Sequence, residues 1–172
     1  SNVTDMSSMF NDAGDFNQSL NSWDVSNVQT MDSMFLQADS FNGAIGSWNT
    51  SSVTDMDSMF LSSYIFNQDI SSWDVSNVTN MSYMFQNATS FNQDLSCWDV
   101  TGIASEPMGF DTGATSWTDP KPVWGGPIPG SCTPTFSSTW DTTLPGTSGS
   151  NQIALPLEAS GTYNFTVTSP DD

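Results

Sequence analysis

The sequence predicts an α/β solenoid. Its coils are 25 residues long, with a parallel sheet on one face and short helices on the other, and a small β-rich tail follows. Three observations carry this reading. Phe16, Phe41, Phe66 and Phe91 recur at equal spacing, as do Trp23, Trp48, Trp73 and Trp98. Met9, Met34, Met59 and Met84 do the same, each followed by a phenylalanine (Phe10, Phe35, Phe60, Phe85). A fixed period of this length marks a stacked repeat, because one such unit cannot bury its apolar face alone.

One copy shows the expected elements. In residues 70–95, Ile70, Trp73 and Val75 have the spacing of a leucine-rich-repeat strand, with Trp in the middle slot. Alternation along a strand places Trp73 and Val75 inward and Ser72, Asp74 and Ser76 outward. Ser76-Asn77 reads as a helix N-cap. Val78, Met81, Met84, Phe85 and Ala88 then recur at helical spacing. Ser90-Phe91-Asn92-Gln93 returns the chain to the next strand.

The repeat is expected to run over residues 1–112. After Val100 it weakens, and Pro107 ends or kinks the helix of that copy. Residues 113–134 are rich in Gly, Pro and Trp and read as a C-terminal cap over the last apolar layer. Residues 135–172 change to period two at Thr135–Trp140, Gln152–Leu157 and Tyr163–Val167, which reads as a β-rich segment. Residue 1 falls in mid-repeat, so the chain reads as cut from a longer precursor.

Composition narrows the partners. There are 19 acidic residues, one basic residue (Lys121) and no His, for a formal net charge of −18. That balance argues against nucleic acid and anionic membrane surfaces and favours cations or basic partners. No stretch approaches the length of a membrane-inserting helix. Without His, and with no phosphate loop, nucleophile elbow or metal quartet, no catalytic motif is present. Asp55 and Asp57 fall at an expected helix start, where acids suit the dipole.

The inward Trp row reads as core packing, against the alternative of a stacking platform for sugars. The Met-Phe row reads as thioether-aromatic core filling. Asn17, Asn42, Asn67 and Asn92 read as a structural ladder that satisfies backbone groups of neighbouring coils. The outward positions are the candidate contact surface: Ser22, Asp24, Ser47, Asn49, Ser72, Asp74, Ser76 and Asp99. Two readings stand for the acids among them. Each carboxylate accepts local hydrogen bonds, or the Asp74–Asp99 pair holds a divalent cation or a basic ligand. Calcium suits hard oxygen donors, although two carboxylates are a thin set. Sequons of the N-x-S/T type occur at Asn2, Asn17, Asn49, Asn77, Asn80, Asn87 and Asn164.

The run WDVSNVTNMSYMF…FNQDLSCWDV resembles the BspA-like, Treponema-type leucine-rich repeats of microbial surface proteins, in the variant with a W-D-V-S-x-V-x-x-M-x-x-M-F signature. The resemblance covers roughly residues 1–110. It implies a secreted or cell-wall protein that acts in adhesion. The tail resembles the segment leading into an immunoglobulin-like module in that family, here incomplete. In such a secreted chain Cys97, which replaces the Ser22, Ser47 and Ser72 of earlier copies, is expected to pair with Cys132 in the cap. The expected function is a non-enzymatic extracellular module that binds a protein or cell-surface ligand, with no nucleic acid and no membrane insertion. The competing expectation is a structural subunit that self-associates into a filament or surface layer, Tyr163–Val167 adding as a strand to a neighbour.

Overall fold

The computed structural model describes residues 2–132. The chain divides into two units, Ser1–Thr135 and Phe136–Asp172. The expected β-rich tail with its Tyr163–Val167 strand, and the sequon at Asn164, lie outside the described residues.

The first unit is not the α/β solenoid that the periodicity predicts. Among the described residues the only regular element is a single 3-10 turn at Gly130–Cys132. Among the described residues there is no parallel sheet and no helical face. Pairing of strand type is confined to isolated parallel bridges that join Asp5 to Thr30, Thr30 to Asp55 and Asp55 to Asn80.

What forms is a stack of irregular 25-residue layers. In the Met-Phe segment alternate backbone N–H groups leave the segment altogether. Those of Met6, Ser8, Phe10 and Asp12 donate to the carbonyls of Thr30, Asp32, Met34 and Leu36, at 2.8–3.0 Å. The pattern repeats one layer on, from Met31, Ser33, Phe35 and Gln37 to Asp55, Asp57, Met59 and Leu61. The N–H groups in between close tight four-residue turns, such as Met34 to Met31, Leu36 to Ser33 and Ala38 to Phe35.

Backbone conformation shows why no helix forms. Ser8, Ser33, Ser58 and Tyr83 have positive φ at one position of the repeat, and Asp12, Gln37, Ser62 and Asn87 at a second. A left-handed residue interrupts an α-helix, and two of them in one apolar segment forbid it. The apolar spacing is still that of one buried face, so Met81, Met84, Phe85 and Ala88 are all buried.

The expected strand is corrected in the same way. Around Trp73 and Val75 the layers are joined mainly by side chains. Trp48 Nε1 donates to the Leu20 carbonyl at 2.8 Å, Trp73 Nε1 to Ile45 at 3.2 Å and Trp98 Nε1 to Ile70 at 3.1 Å. Thr50 Oγ1 donates to Asp74, Ser52 Oγ to Ser26 and Asn77 Nδ2 to Ser51, each to a carbonyl of an adjacent layer. These residues supply the donors that a ladder of backbone N–H groups would otherwise provide.

The core is a set of aromatic rows. Phe35 stacks on Phe60 at 5.6 Å between ring centroids, Phe41 on Phe66 at 5.9 Å and Trp48 on Trp73 at 5.9 Å. Within one layer Phe60 and Phe66 approach to 3.9 Å. Trp48, Trp73 and Trp98 are 4%, 3% and 2% exposed, so that row is core rather than a sugar platform. The asparagine ladder is structural as well. Asn17 Oδ1 accepts the N–H of Asn42, Asn42 that of Asn67, and Asn67 that of Asn92.

The repeat pattern continues past residue 112, shifted by one residue. Tyr83, Phe85 and Asn87 donate to Met108, Phe110 and Thr112, one residue further than in earlier layers. Gly109 and Gly113 then take the two positive-φ positions. A Cβ at Gly109 would stand 2.4 Å from Tyr83 Cδ1, and one at Gly113 2.3 Å from Asn87 Oδ1. Trp117 occupies the slot of Phe91, and Asn92 Oδ1 accepts the N–H of Thr118 as the ladder requires.

Candidate functional site

Asp24, Asn49, Asp74 and Asp99, among the contact positions, form one of three ladders of a single local motif. In Asp-x-Ser the acidic side chain turns back on its own backbone. Asp74 Oδ1 accepts the N–H of Ser76 at 3.0 Å and its hydroxyl at 2.6 Å. Asp24 does the same with Ser26, Asn49 with Ser51 and Asp99 with Thr101. A short side chain that mimics a turn in this way is an Asx-turn, reinforced here by a hydroxyl. A second ladder repeats it at Asp69–Ser71 and Asp94–Ser96. A third runs through Asp5–Ser7, Asp55–Asp57 and Asn80–Ser82.

These bonds shape the electrostatics. The hydroxyl of Ser71, then its N–H, holds Asp69 below the usual carboxylate range, and Ser96 does the same to Asp94. Asp32 goes the other way. Burial raises its pKa most, the hydroxyl of Ser33 partly offsets this, and the charges of Asp57, Asp55 and Asp5 raise it further.

The predicted contact residues lie at equivalent positions of successive layers. Ser22, Asp24, Ser47, Asn49, Ser72, Asp74 and Ser76 are exposed, and Asp99 is half-buried. The serines have bonds of their own. Ser47 Oγ donates to the Asn21 carbonyl and Ser72 Oγ to that of Gly46, both at 3.0 Å. They bind layer to layer while still facing water. Asp74 and Asp99 stand in adjacent layers, each engaged with its own layer. Among the described residues no group of three or more His, Cys, Asp or Glu could hold a metal ion. The calcium expectation therefore gains no donor beyond those two carboxylates and is not carried further.

Of the two readings of these acids, the structure shows the one in which each carboxylate accepts local hydrogen bonds; what the expected strand hid is the turn that these bonds close. Ser26, Ser51, Ser76 and Thr101 each follow an Asp or Asn by two residues. That recurring Asp/Asn-x-Ser/Thr spacing is visible in the sequence and signals an Asx-turn rather than a strand.

Cys97 and Cys132 are joined by a disulfide, with 5.2 Å between their Cα atoms. The bridge ties the fourth Trp-bearing layer to the end of the described chain. Nearby, Lys121 pairs with Asp111, and its ammonium lies 5.4 Å from the centre of the Trp117 ring. No helix among the described residues is long and apolar enough to cross a membrane.

Val3, Met6, Met9, Trp23 and Asp24 line a shallow cleft of about 330 Å³. Val3, Met9 and Trp23 are 41%, 48% and 37% exposed.

This stack of acidic-rimmed layers is a repeat protein by construction. A family model described as "Mycoplasma protein of unknown function, DUF285" matches residues 4–120, and the chain belongs to that family. The match is consistent with a BspA-related repeat protein. No curated protein and no solved structure matches the chain.

Proposed function

We propose that this chain is a non-enzymatic, extracellular repeat module that presents a surface for adhesion or protein binding, of the BspA-like kind with W-D-V-S repeats. The observation that carries the reading is the ladder of Asx-turns at Asp24, Asn49, Asp74 and Asp99. It holds polar side chains at fixed intervals on exposed positions, with little conformational freedom left to lose on binding. Family membership and a disulfide, a bond that persists in oxidising compartments, support a surface location. With 19 acids against one base, a basic partner is favoured.

The test is binding to cells or extracellular matrix by the chain carrying both Asp74→Asn and Asp99→Asn. Each asparagine keeps the acceptor of the Asx-turn and removes only the charge. Weakened binding is the expected result. Unchanged binding would move the contact away from this ladder.

The second reading is a subunit of a filament or surface layer. One observation favours it: the layers repeat along one axis and join through backbone hydrogen bonds such as Met31 to Asp55, the kind of contact that a filament extends. Light scattering at high protein concentration and high salt, where repulsion is screened, tests it. A chain that stays monomeric there would end it.

A further inference from the structure

We propose that Asn87 is the attachment site of an N-linked glycan, transferred from a polyprenyl-diphosphate-linked oligosaccharide by a glycosyltransferase of the secretory route. Asn87-Ala88-Thr89 has the N-x-S/T pattern that such enzymes read. In the transfer the carboxamide nitrogen attacks the anomeric carbon of the first sugar. A carbon–nitrogen bond forms and the carbon–oxygen bond to the diphosphate breaks. The polyprenyl diphosphate leaves with that electron pair, and one amide proton is lost to solvent. In the folded chain such a glycan needs an asparagine whose side chain reaches water and holds no other part of the stack in place.

The layers sort the sequons by that requirement. Asn80 is half-buried; its Oδ1 accepts the N–H and the hydroxyl of Ser82, and its Nδ2 donates to Asp57 Oδ2. Asn77 Nδ2 donates to the Ser51 carbonyl of the layer before. Asn49 Oδ1 is closed on Ser51 in its Asx-turn. Asn2 and Asn17 stand on the first layer, and Asn17 Oδ1 holds the N–H of Asn42. Asn87 is exposed, and its side-chain amide has no hydrogen-bond partner among the described residues. Only its backbone N–H is engaged, with the Thr112 carbonyl. Its φ of 58° suits asparagine, but that conformation alone does not call for a sequon, since Asp12, Gln37 and Ser62 share it.

The neighbours of Asn87 leave room. Its equivalents in the adjacent layers are Ser62, which is small and buried, and Gly113, which has no side chain. A Cβ at Gly113 would stand 2.3 Å from Asn87 Oδ1, so the amide lies over a position that stays bare. Thr89 fixes the order of events. Its Oγ1 donates to the Tyr64 carbonyl, and the Ser90 N–H donates to the same atom. The hydroxyl is therefore free for an enzyme only before this layer docks on Tyr64, and transfer precedes folding. The stack then acts as a filter: it closes over a glycan at Asn87 without losing a bond, whereas one at Asn80 would break the contact with Asp57.

The inference rests on the extracellular reading of the chain, but not on the Asp74–Asp99 contact. The test is secretion of the full chain from a glycosylating eukaryotic cell line, behind a signal peptide. Glycans are then released enzymatically in heavy-oxygen water, and the peptides of the folded, disulfide-bonded fraction are read by mass spectrometry. A glycan on most molecules at Asn87 and none at Asn80 is the expected result. Asn87→Gln should abolish the Asn87 glycan and leave secretion unchanged, since glutamine already holds the same left-handed position at Gln37. A bare Asn87 in the secreted, folded chain overturns the proposal. So does equal occupancy of Asn80, which would mean that the stack does not select. Cell or matrix binding by the same material keeps the two readings apart. A bare Asn87 with intact binding ends the glycan alone, and an occupied Asn87 with no binding ends the adhesion reading alone.

Discussion

Trp117 meets Phe91 edge-on, with ring centroids 4.8 Å apart and planes at 83°. Every earlier pair in that row, from Phe16 to Phe91, lies flat at 5.8–5.9 Å. The turn from flat to edge-on ends the aromatic row. A flat ring offers its successor another flat face, whereas the ring standing on edge does not. Trp117 also meets Phe85 and Phe110, and Trp124 packs edge-on against Phe110.

Trp117 Nε1 is buried with no hydrogen-bond partner among the described residues, whereas Trp98 Nε1 donates to the Ile70 carbonyl. Replacing each by phenylalanine should therefore have different costs. Trp98→Phe removes one of the two hydrogen bonds to the Ile70 carbonyl, which keeps the N–H of Trp73, and should cost about 0.5–1.5 kcal/mol more than Trp117→Phe, which removes an unpaired donor. Denaturant unfolding of the two variants measures the difference. Equal losses would show that packing alone decides both.

Gln37 is exposed at φ 56°, and its N–H donates to Leu61. Glycine relieves the left-handed strain without disturbing a packed side chain. Gln37→Gly should raise stability by about 0.5–1 kcal/mol, net of the greater freedom glycine gives the unfolded chain. Gln37→Val should lower it, because a β-branched residue suits that conformation least. The fifth layer, with Gly109 and Gly113 at the two equivalent positions, already has the favoured residue.

Reduction of the Cys97–Cys132 bridge should lower stability by about 3–4 kcal/mol, the loop-closure value for a 35-residue separation. Cys97 is exposed, so a soluble reductant reaches it. Thermal melts with and without reductant give the shift, and thiol titration under denaturing, non-reducing conditions should find no free thiol.

Two aspartates should move stability in opposite directions with pH. Asp69 has a depressed pKa in the folded state, so its contribution is present above its ordinary value and is lost as pH falls through the lower folded value. Ser71→Ala should raise the Asp69 pKa in a carboxyl NMR titration. Asp32 is raised by burial and by neighbouring acids, so its charged form opposes folding and stability is gained as pH falls through its folded value. Asp32→Asn should therefore raise the melting temperature at neutral pH, with the gain vanishing once Asp32 is protonated in the parent chain. A gain that persists in acid would mean that charge is not the cause.

The sequence carried the layer period and the buried rows. Phe35, Phe60 and Phe85 needed only their spacing to be placed in one column, and Cys97 stood out against the serines of its row. Less legible was the fifth layer. One extra residue before Met108 shifts Trp117 and Trp124 out of the 25-residue frame, so a search at fixed period reads them as irregular. The acids were assigned to the exposed surface, with local hydrogen bonding as one of two readings, but the turn was not legible, because an alternating strand and a series of Asx-turns expose the same residues.

By itself the sequence determined which side chains are buried, how many residues separate the layers and that the surface is acidic. Those follow from the spacing of apolar residues and from composition, whatever path the backbone takes between them. Only the tertiary structure decided that path. The segment from Val78 to Ala88 has helical spacing, yet a short helix in water is marginal and gains little from its own hydrogen bonds. The carbonyls of the next layer accept the N–H groups of Tyr83, Phe85 and Asn87 instead. That option exists only once the layers are stacked. Those bonds turn Tyr83 and Asn87 left-handed and leave a chain of turns where the isolated segment would read as a helix.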